Sequence, residues 1–154
     1  MQKYHLIDEE FVTFELDHQE YAVPKNKVLK TLGTEGIIDS DQSELCVLGA
    51  VYGKNHKVPV LDLRCLFGFE ERTKKEDSLV LVAAFGPESI QIGFIVDSIG
   101  TSVPILAGFS EKDNISENDP REKYILGEVL VKGKTILLLN SDKCGQYLRS
   151  YSLV

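Results

Sequence analysis

Short apolar runs rich in β-branched and aromatic residues recur along nearly the whole 154-residue chain, each ended by a turn signal. This alternation restricts the fold more than any other feature, because a pattern of period two lays its apolar side chains on one face of a strand and cannot build an amphipathic helix. Phe11-Val12-Thr13-Phe14-Glu15-Leu16 stops at Asp17-His18-Gln19-Glu20 and resumes as Tyr21-Ala22-Val23 before Pro24, which reads as a hairpin. A second runs from Leu45 to Tyr52, turns through Gly53-Lys54-Asn55-His56-Lys57 and returns as Val58-Pro59-Val60-Leu61. Leu79 to Phe85 and Ile90 to Val96 flank Gly86-Pro87-Glu88-Ser89, and Tyr124 to Val131 and Ile136 to Leu139 flank Lys132-Gly133-Lys134. Helices are few. Asp62 is placed to N-cap a short one after Leu61 that ends at Gly68, and Asn140-Ser141-Asp142 to cap a terminal one reaching about Tyr151, weakened by Gly145. The charged stretch Glu70 to Asp77 and the polar stretch Ser110 to Lys123, broken by Pro120, are expected loops. The expectation is a mainly all-β chain of small antiparallel barrels or a sandwich.

A weak internal repeat organises the hairpins. Laying residues 48–69 over 126–147 brings Leu48, Gly49, Val51, Lys54 and Leu61 onto Leu126, Gly127, Val129, Lys132 and Leu139 without gaps. Val58 meets Ile136, Asp62 meets Asn140 and Phe69 meets Tyr147. Each copy reads as strand, basic turn, strand and capped helix start. Two related β-subdomains are expected, each too small to bury much core alone and therefore packed on the other.

Charge and chemistry narrow the function. Lys and Arg number 17 against 24 Asp and Glu, a net charge of −7. Nucleic-acid affinity rests mainly on neutralising phosphates with cations, so this balance disfavours it, and anionic membrane surfaces likewise. The concentrated basic patches are short: Lys25, Lys27 and Lys30, and Lys54 with Lys57. No apolar run approaches the ~20 residues of a membrane-spanning helix, and the first residues lack the pattern of an export signal. Three cysteines without a CxxC then point to a reducing cytoplasm and no disulfide framework. His5, His18 and His56 and Cys46, Cys65 and Cys144 lack zinc-ligand spacing, and no phosphate-binding, nucleophile-elbow or metalloprotease motif occurs. Asp97 reads as a turn residue after Phe94-Ile95-Val96. No catalytic residue, metal or cofactor is expected, which leaves a β-rich surface suited to holding other proteins.

Gly49 followed by Val58-Pro59-Val60-Leu61-Asp62-Leu63-Arg64 resembles the core motif of CheW-type chemotaxis coupling proteins. Phe14-Glu15-Leu16, Tyr21-Ala22-Val23-Pro24 and Val28, then Ile92 to Ile99, then Tyr124-Ile125-Leu126-Gly127 with Ile136 to Asn140, follow in that family's order. The resemblance implies two five-stranded antiparallel β-barrel-like subdomains with a groove between them. They would form one CheW-like domain over 10–149, between tails 1–9 and 150–154, with no receiver domain after the last helix. It implies a non-enzymatic cytoplasmic adaptor at receptor arrays. One surface would bind the cytoplasmic tip of a chemoreceptor and another the regulatory domain of a CheA-type histidine kinase, with no nucleic acid and no membrane insertion. By position Val28, Lys30, Lys54 and Asn55 map to the receptor-facing groove, and Val58 and Val60 to the barrel near the kinase-facing side. The sequence departs from the family where it matters for partners. Lys54 and Asn55 replace the turn arginine and glycine, which removes the planar fork that grips a carboxylate at two points. Lys30 replaces a frequent glutamate and reverses its charge. A divergent regulator that binds only the kinase is therefore the alternative, with a small-molecule-binding barrel built around Asp97 and a cysteine as the remote third.

Overall fold

Asp17 and His18 both adopt positive φ, 49° and 67°, the geometry by which a two-residue turn matches the twist of the strands it joins. That turn links β2 (Glu9–Leu16) to β3 (Gln19–Pro24), and Lys132 and Gly133, at φ 49° and 79°, do the same for β12 (Ile125–Val131) and β13 (Lys134–Leu139). The computed structural model describes residues 4–6, 9–39, 45–53, 56–71, 73–105, 108–110 and 116–151. Around those hairpins lie β1 (Tyr4–Leu6), a 3-10 turn (Lys25–Lys27), β4 (Val28–Leu32), β5 (Ile38–Asp39), β6 (Val47–Gly53), β7 (His56–Asp62) and α1 (Leu63–Leu66). They are followed by β8 (Leu79–Phe85), β9 (Ile90–Val96), β10 (Ser98–Ile105) and β11 (Gly108–Ser110), and α2 (Ser141–Ser150) closes the order. Both helices start at the expected caps. Asp62 Oδ1 accepts from Arg64 N–H at 3.1 Å and Asn140 Oδ1 from Lys143 N–H at 3.3 Å. Gly68, at φ 78°, stands just past the end of α1, in the left-handed conformation that stops a helix.

The strands form two sheets, of seven strands in the order β1-β11-β12-β13-β3-β2-β10 and of six in the order β4-β8-β9-β7-β6-β5. Read in opposite directions they correspond strand for strand, β12 with β6, β13 with β7, β3 with β9, β2 with β8 and β10 with β4. The registers correspond too. Ile125 pairs with Leu139 as Val47 does with Leu61, and a bulge follows each. Ile99 pairs with Phe14 as Val28 does with Ala83, again before an irregularity in both. The duplication seen in the sequence thus spans nearly the whole chain. The ungapped overlay found only its latter part because the loop before β12 is much longer than the one before β6.

Each half of the repeat is divided between the sheets, β2 and β3 lying with β10 to β13 and β8 and β9 with β4 to β7. After β3 the chain leaves the first sheet and runs as β4 along the second, and after β9 it leaves the second and runs as β10 along the first. Each sheet holds the five expected strands plus short edge strands. Where antiparallel pairing was expected, one pair in each runs parallel, β13 with β3 and β7 with β9.

Alternation along the strands then makes three cores. Ile136 and Leu138 face inward with Phe11, Ala22 and Val129, and Val58 and Val60 face inward with Val51, Val80, Val82 and Ile95, so each sheet curls around its own small core in the manner of a barrel. Leu137, Leu139, Leu61 and Phe94 point the other way into a larger cluster shared by both sheets, centred on Phe14, Tyr21 and Phe67. Burial on both faces is why Ile136 to Leu139 reads as an unbroken apolar run rather than an alternating one.

One expectation is corrected. Cys46 and Cys65 form a disulfide, with Cα atoms 5.3 Å apart. The hairpin of β6 and β7 returns the chain so that Asp62 N–H donates to the Cys46 carbonyl at 2.8 Å, which brings α1 beside the start of β6. Nothing in the spacing of the two cysteines announces this meeting. Cys144 behaves as expected of a buried cysteine, and burial pushes its thiol pKa well up. Cys46→Ser should lower unfolding free energy by about 2–3 kcal/mol, the loop-closure effect of a link of this span. Denaturant titrations of oxidised protein, variant and protein reduced with dithiothreitol check this, and the latter two should coincide.

Candidate partner-binding surface

Arg64, in the motif that follows β7, does not face solvent as a docking residue would. Its side chain is 10% exposed and stands where the two sheets meet. One Nη donates to Asp17 at 2.7 Å and to Asp97 at 2.7 Å, and the other lies 3.4 Å from Thr73 Oγ1. Thr73 Oγ1 in turn donates to Asp62 at 2.7 Å, and Asp97 accepts from Asp17 N–H at 3.0 Å. Asp17 belongs to the β2–β3 turn of the first sheet, Asp62 and Arg64 to the second, and Asp97 to the crossing between β9 and β10. The cluster therefore pins one sheet's hairpin tip to the other sheet's helix. Burial alone would pull the guanidinium pKa down, but the hydrogen bonds and charges of Asp17 and Asp97 more than offset it and the net shift is upward. Sequence reasoning named Asp62 as a cap and Asp97 as a turn residue. It missed that Arg64 joins them, because the partners meet only across the junction.

A second brace lies nearby. Arg121 donates to Tyr21 Oη at 3.1 Å and pairs with Asp119 at 2.9 Å. Burial raises the Tyr21 pKa, partly opposed by Arg121, while the Arg121 hydrogen bond holds Asp119 below its ordinary value. Both braces are contacts between distant chain segments that leave the edges β4 and β10 open.

One of those edges, β4, carries Val28 and Lys30 of the four residues expected at the receptor groove. β4 is the outermost strand of its sheet and β10 of the other. The 3-10 turn before β4 touches β2 and β8, and β10 touches β8, so both edges border the seam. Val28 is half-buried against the shared core, as is its counterpart Ile99. Leu29 is 50% exposed, and Lys30 and Thr31 beside it are exposed. Lys54 and Asn55 lie outside the described residues, between the paired Gly53 and His56. Val58 and Val60, expected near a kinase-facing side, are 1% and 0% exposed. They fill the inside of the second barrel, since inward alternation on β7 leaves them no surface, and among the described residues of that hairpin the exposed positions are Tyr52, His56 and Lys57. Gly49 is explained by close approach, since a side chain there would strike the Ile38 carbonyl of β5. Among the described residues no group of three or more His, Cys, Asp or Glu is arranged to hold a metal, and no helix is long and apolar enough to cross a membrane.

Two curled sheets sharing a core, braced at the junction and exposing sheet edges, define a β-scaffold of paired barrels. The chain belongs to the CheW-like domain family, whose model matches residues 10–147. It is 24% identical over 134 residues to the chemotaxis protein CheW of Thermotoga maritima, a match covering 87% of this chain and 85% of that protein. Its fold is similar to the crystal structure of the scaffolding protein TtCheW from Thermoanaerobacter tengcongensis, with a TM-score of 0.73 at 20% identity over 86% of this chain and 89% of that one.

Proposed function

We propose that this protein is a non-enzymatic scaffold in a bacterial chemosensory pathway, coupling the cytoplasmic tip of a chemoreceptor to a CheA-type histidine kinase. The family match across both sheets carries this reading. Coupling in this sense makes and breaks no bond. A scaffold that contacts two partners favours the arrangement of the pair in which its contacts are best, and so shifts the population of active kinase by its differential affinity.

The receptor-facing surface is the seam edge at Val28 and Lys30 together with the turn residues Lys54 and Asn55. The kinase-facing surface is the wall of the second barrel, which Val58 and Val60 support from within. The exposed apolar residues Leu29 and Tyr52 supply desolvation at these two surfaces, and the surrounding lysines set partner choice. One adaptor domain spans 10–149 and works in the cytoplasm at the inner face of receptor arrays.

Purified protein should capture a CheA-type kinase and a receptor-tip fragment from the same genome, together in a ternary complex by size exclusion. Lys30→Glu and Lys54→Glu should each change receptor-tip affinity by several-fold, as rim charges do, and leave kinase affinity within twofold. Capture of the kinase with no receptor tip would establish the kinase-only regulator, and binding of neither would overturn the reading.

A further inference from the structure

The correspondence between the two sheets shows what a cavity in one half is missing. In the first half Phe67, just past α1, stacks on Tyr21 of β3 at 5.4 Å between ring centroids and meets Phe69 edge-on at 6.0 Å. The register places Leu137 of β13 beside Tyr21 of β3, and Val60 of β7 beside Gly93 of β9, so Ile92 is the counterpart of Tyr21. By the same repeat Gly145 of α2 is the counterpart of Phe67, and Asp142 that of Arg64. The aromatic pair and the guanidinium clamp of one half are thus replaced by an isoleucine, a glycine and an aspartate in the other. A cavity of about 260 Å³ opens there between the β8–β9 hairpin and α2, walled by Phe85, Pro87, Ile90, Ile92 and Gly145. A Cβ added at Gly145 would meet nothing within 4 Å.

We infer that this cavity is a docking site for an aromatic side chain of a partner protein, carried on a segment with an adjacent carboxylate. The filled half shows on the same backbone framework that an aromatic ring fits the position. The volume falls below the ~300–1,000 Å³ of small-molecule pockets and suits a single anchoring side chain. The carboxylate follows from charge. Arg149 lies on the cavity wall and is exposed in the last turn of α2, and it makes no ion pair or side-chain hydrogen bond among the described residues. Asp142 needs no cation in return, because it sits in the first turn of α2 where the helix dipole favours a negative charge. The inference does not depend on which partners the adaptor couples.

Blocked dipeptides test it by amide chemical-shift changes in ¹⁵N-labelled protein. Millimolar N-acetyl-Phe-Glu-amide should shift the amides of Ile90, Ile92, Gly145 and Gln146 saturably, and N-acetyl-Phe-Lys-amide should bind about two- to fivefold more weakly, the worth of one exposed ion pair. Arg149→Glu should reverse that preference. Gly145→Phe should restore the missing ring, raise the thermal midpoint and abolish the shifts. Gly145→Ala should raise the midpoint by relieving the helix penalty of glycine, and leave binding intact. Absence of saturable shifts at these amides in the unsubstituted protein, or equal binding to the Gly145→Phe variant, overturns the inference.

Discussion

Arg64→Ala should lower the unfolding free energy by about 2–3 kcal/mol and the thermal midpoint by roughly 5–10 °C. The substitution removes the only cation that the described contacts place between Asp17 and Asp97, and leaves Thr73 and Asp62 hydrogen-bonded mainly to each other. Breaking a fully buried pair costs ~3–5 kcal/mol. The expected figure is smaller because the Asp17 and Asp97 side chains are 54% and 35% exposed and water takes up part of the loss. Arg64→Lys should recover little, since one ammonium cannot span both carboxylates and the threonine as the planar guanidinium does. Thermal unfolding followed by circular dichroism measures both. A loss under about 1 kcal/mol would mean the cluster is held by solvent-facing charges alone, the ordinary worth of surface pairs.

Phe67→Ala should cost more, about 3–5 kcal/mol. Phe67 is 1% exposed, and besides stacking on Tyr21 it lies 6.3 Å from the ring of Tyr124, so truncation empties the centre of the cluster the two sheets share. The form of the transition is also specified. Each sheet takes a hairpin, β2–β3 or β8–β9, from the other half of the chain, and Tyr21 and Phe67 reach each other from different sheets. Neither sheet can lose its strands while the other keeps its core. Unfolding of the variant and of the unsubstituted protein should therefore remain a single transition, with near-ultraviolet and far-ultraviolet signals coincident in denaturant. Two separated transitions would show that the barrels are independent units.

These two positions also show where sequence reading stops. Asp62 and Asn140 were legible as caps because a cap is decided by residues two or three positions away, and the hairpins were legible because turn type and alternation are local. The family's motif placed Arg64 in the right stretch without saying what it holds. Its carboxylates are 47 and 33 positions away in the chain, and no periodicity relates them. Cys46 and Cys65 escaped for the same reason. Val58 and Val60 were recognised as strand residues, yet alternation alone does not say which face of a doubly buried strand looks into a barrel and which into the space between two.

What the amino-acid order determined by itself is the set of hairpins, their turns, the starts of both helices and the kinship between the two halves. All of these depend on neighbours along the chain or on one stretch resembling another. Only the tertiary structure decided that the halves exchange strands, that one guanidinium ties them together, and that the ring present beside Tyr21 has no counterpart beside Ile92. Those facts arise where segments far apart in the chain are brought within contact distance, and the short-range patterns of a sequence carry no record of that meeting.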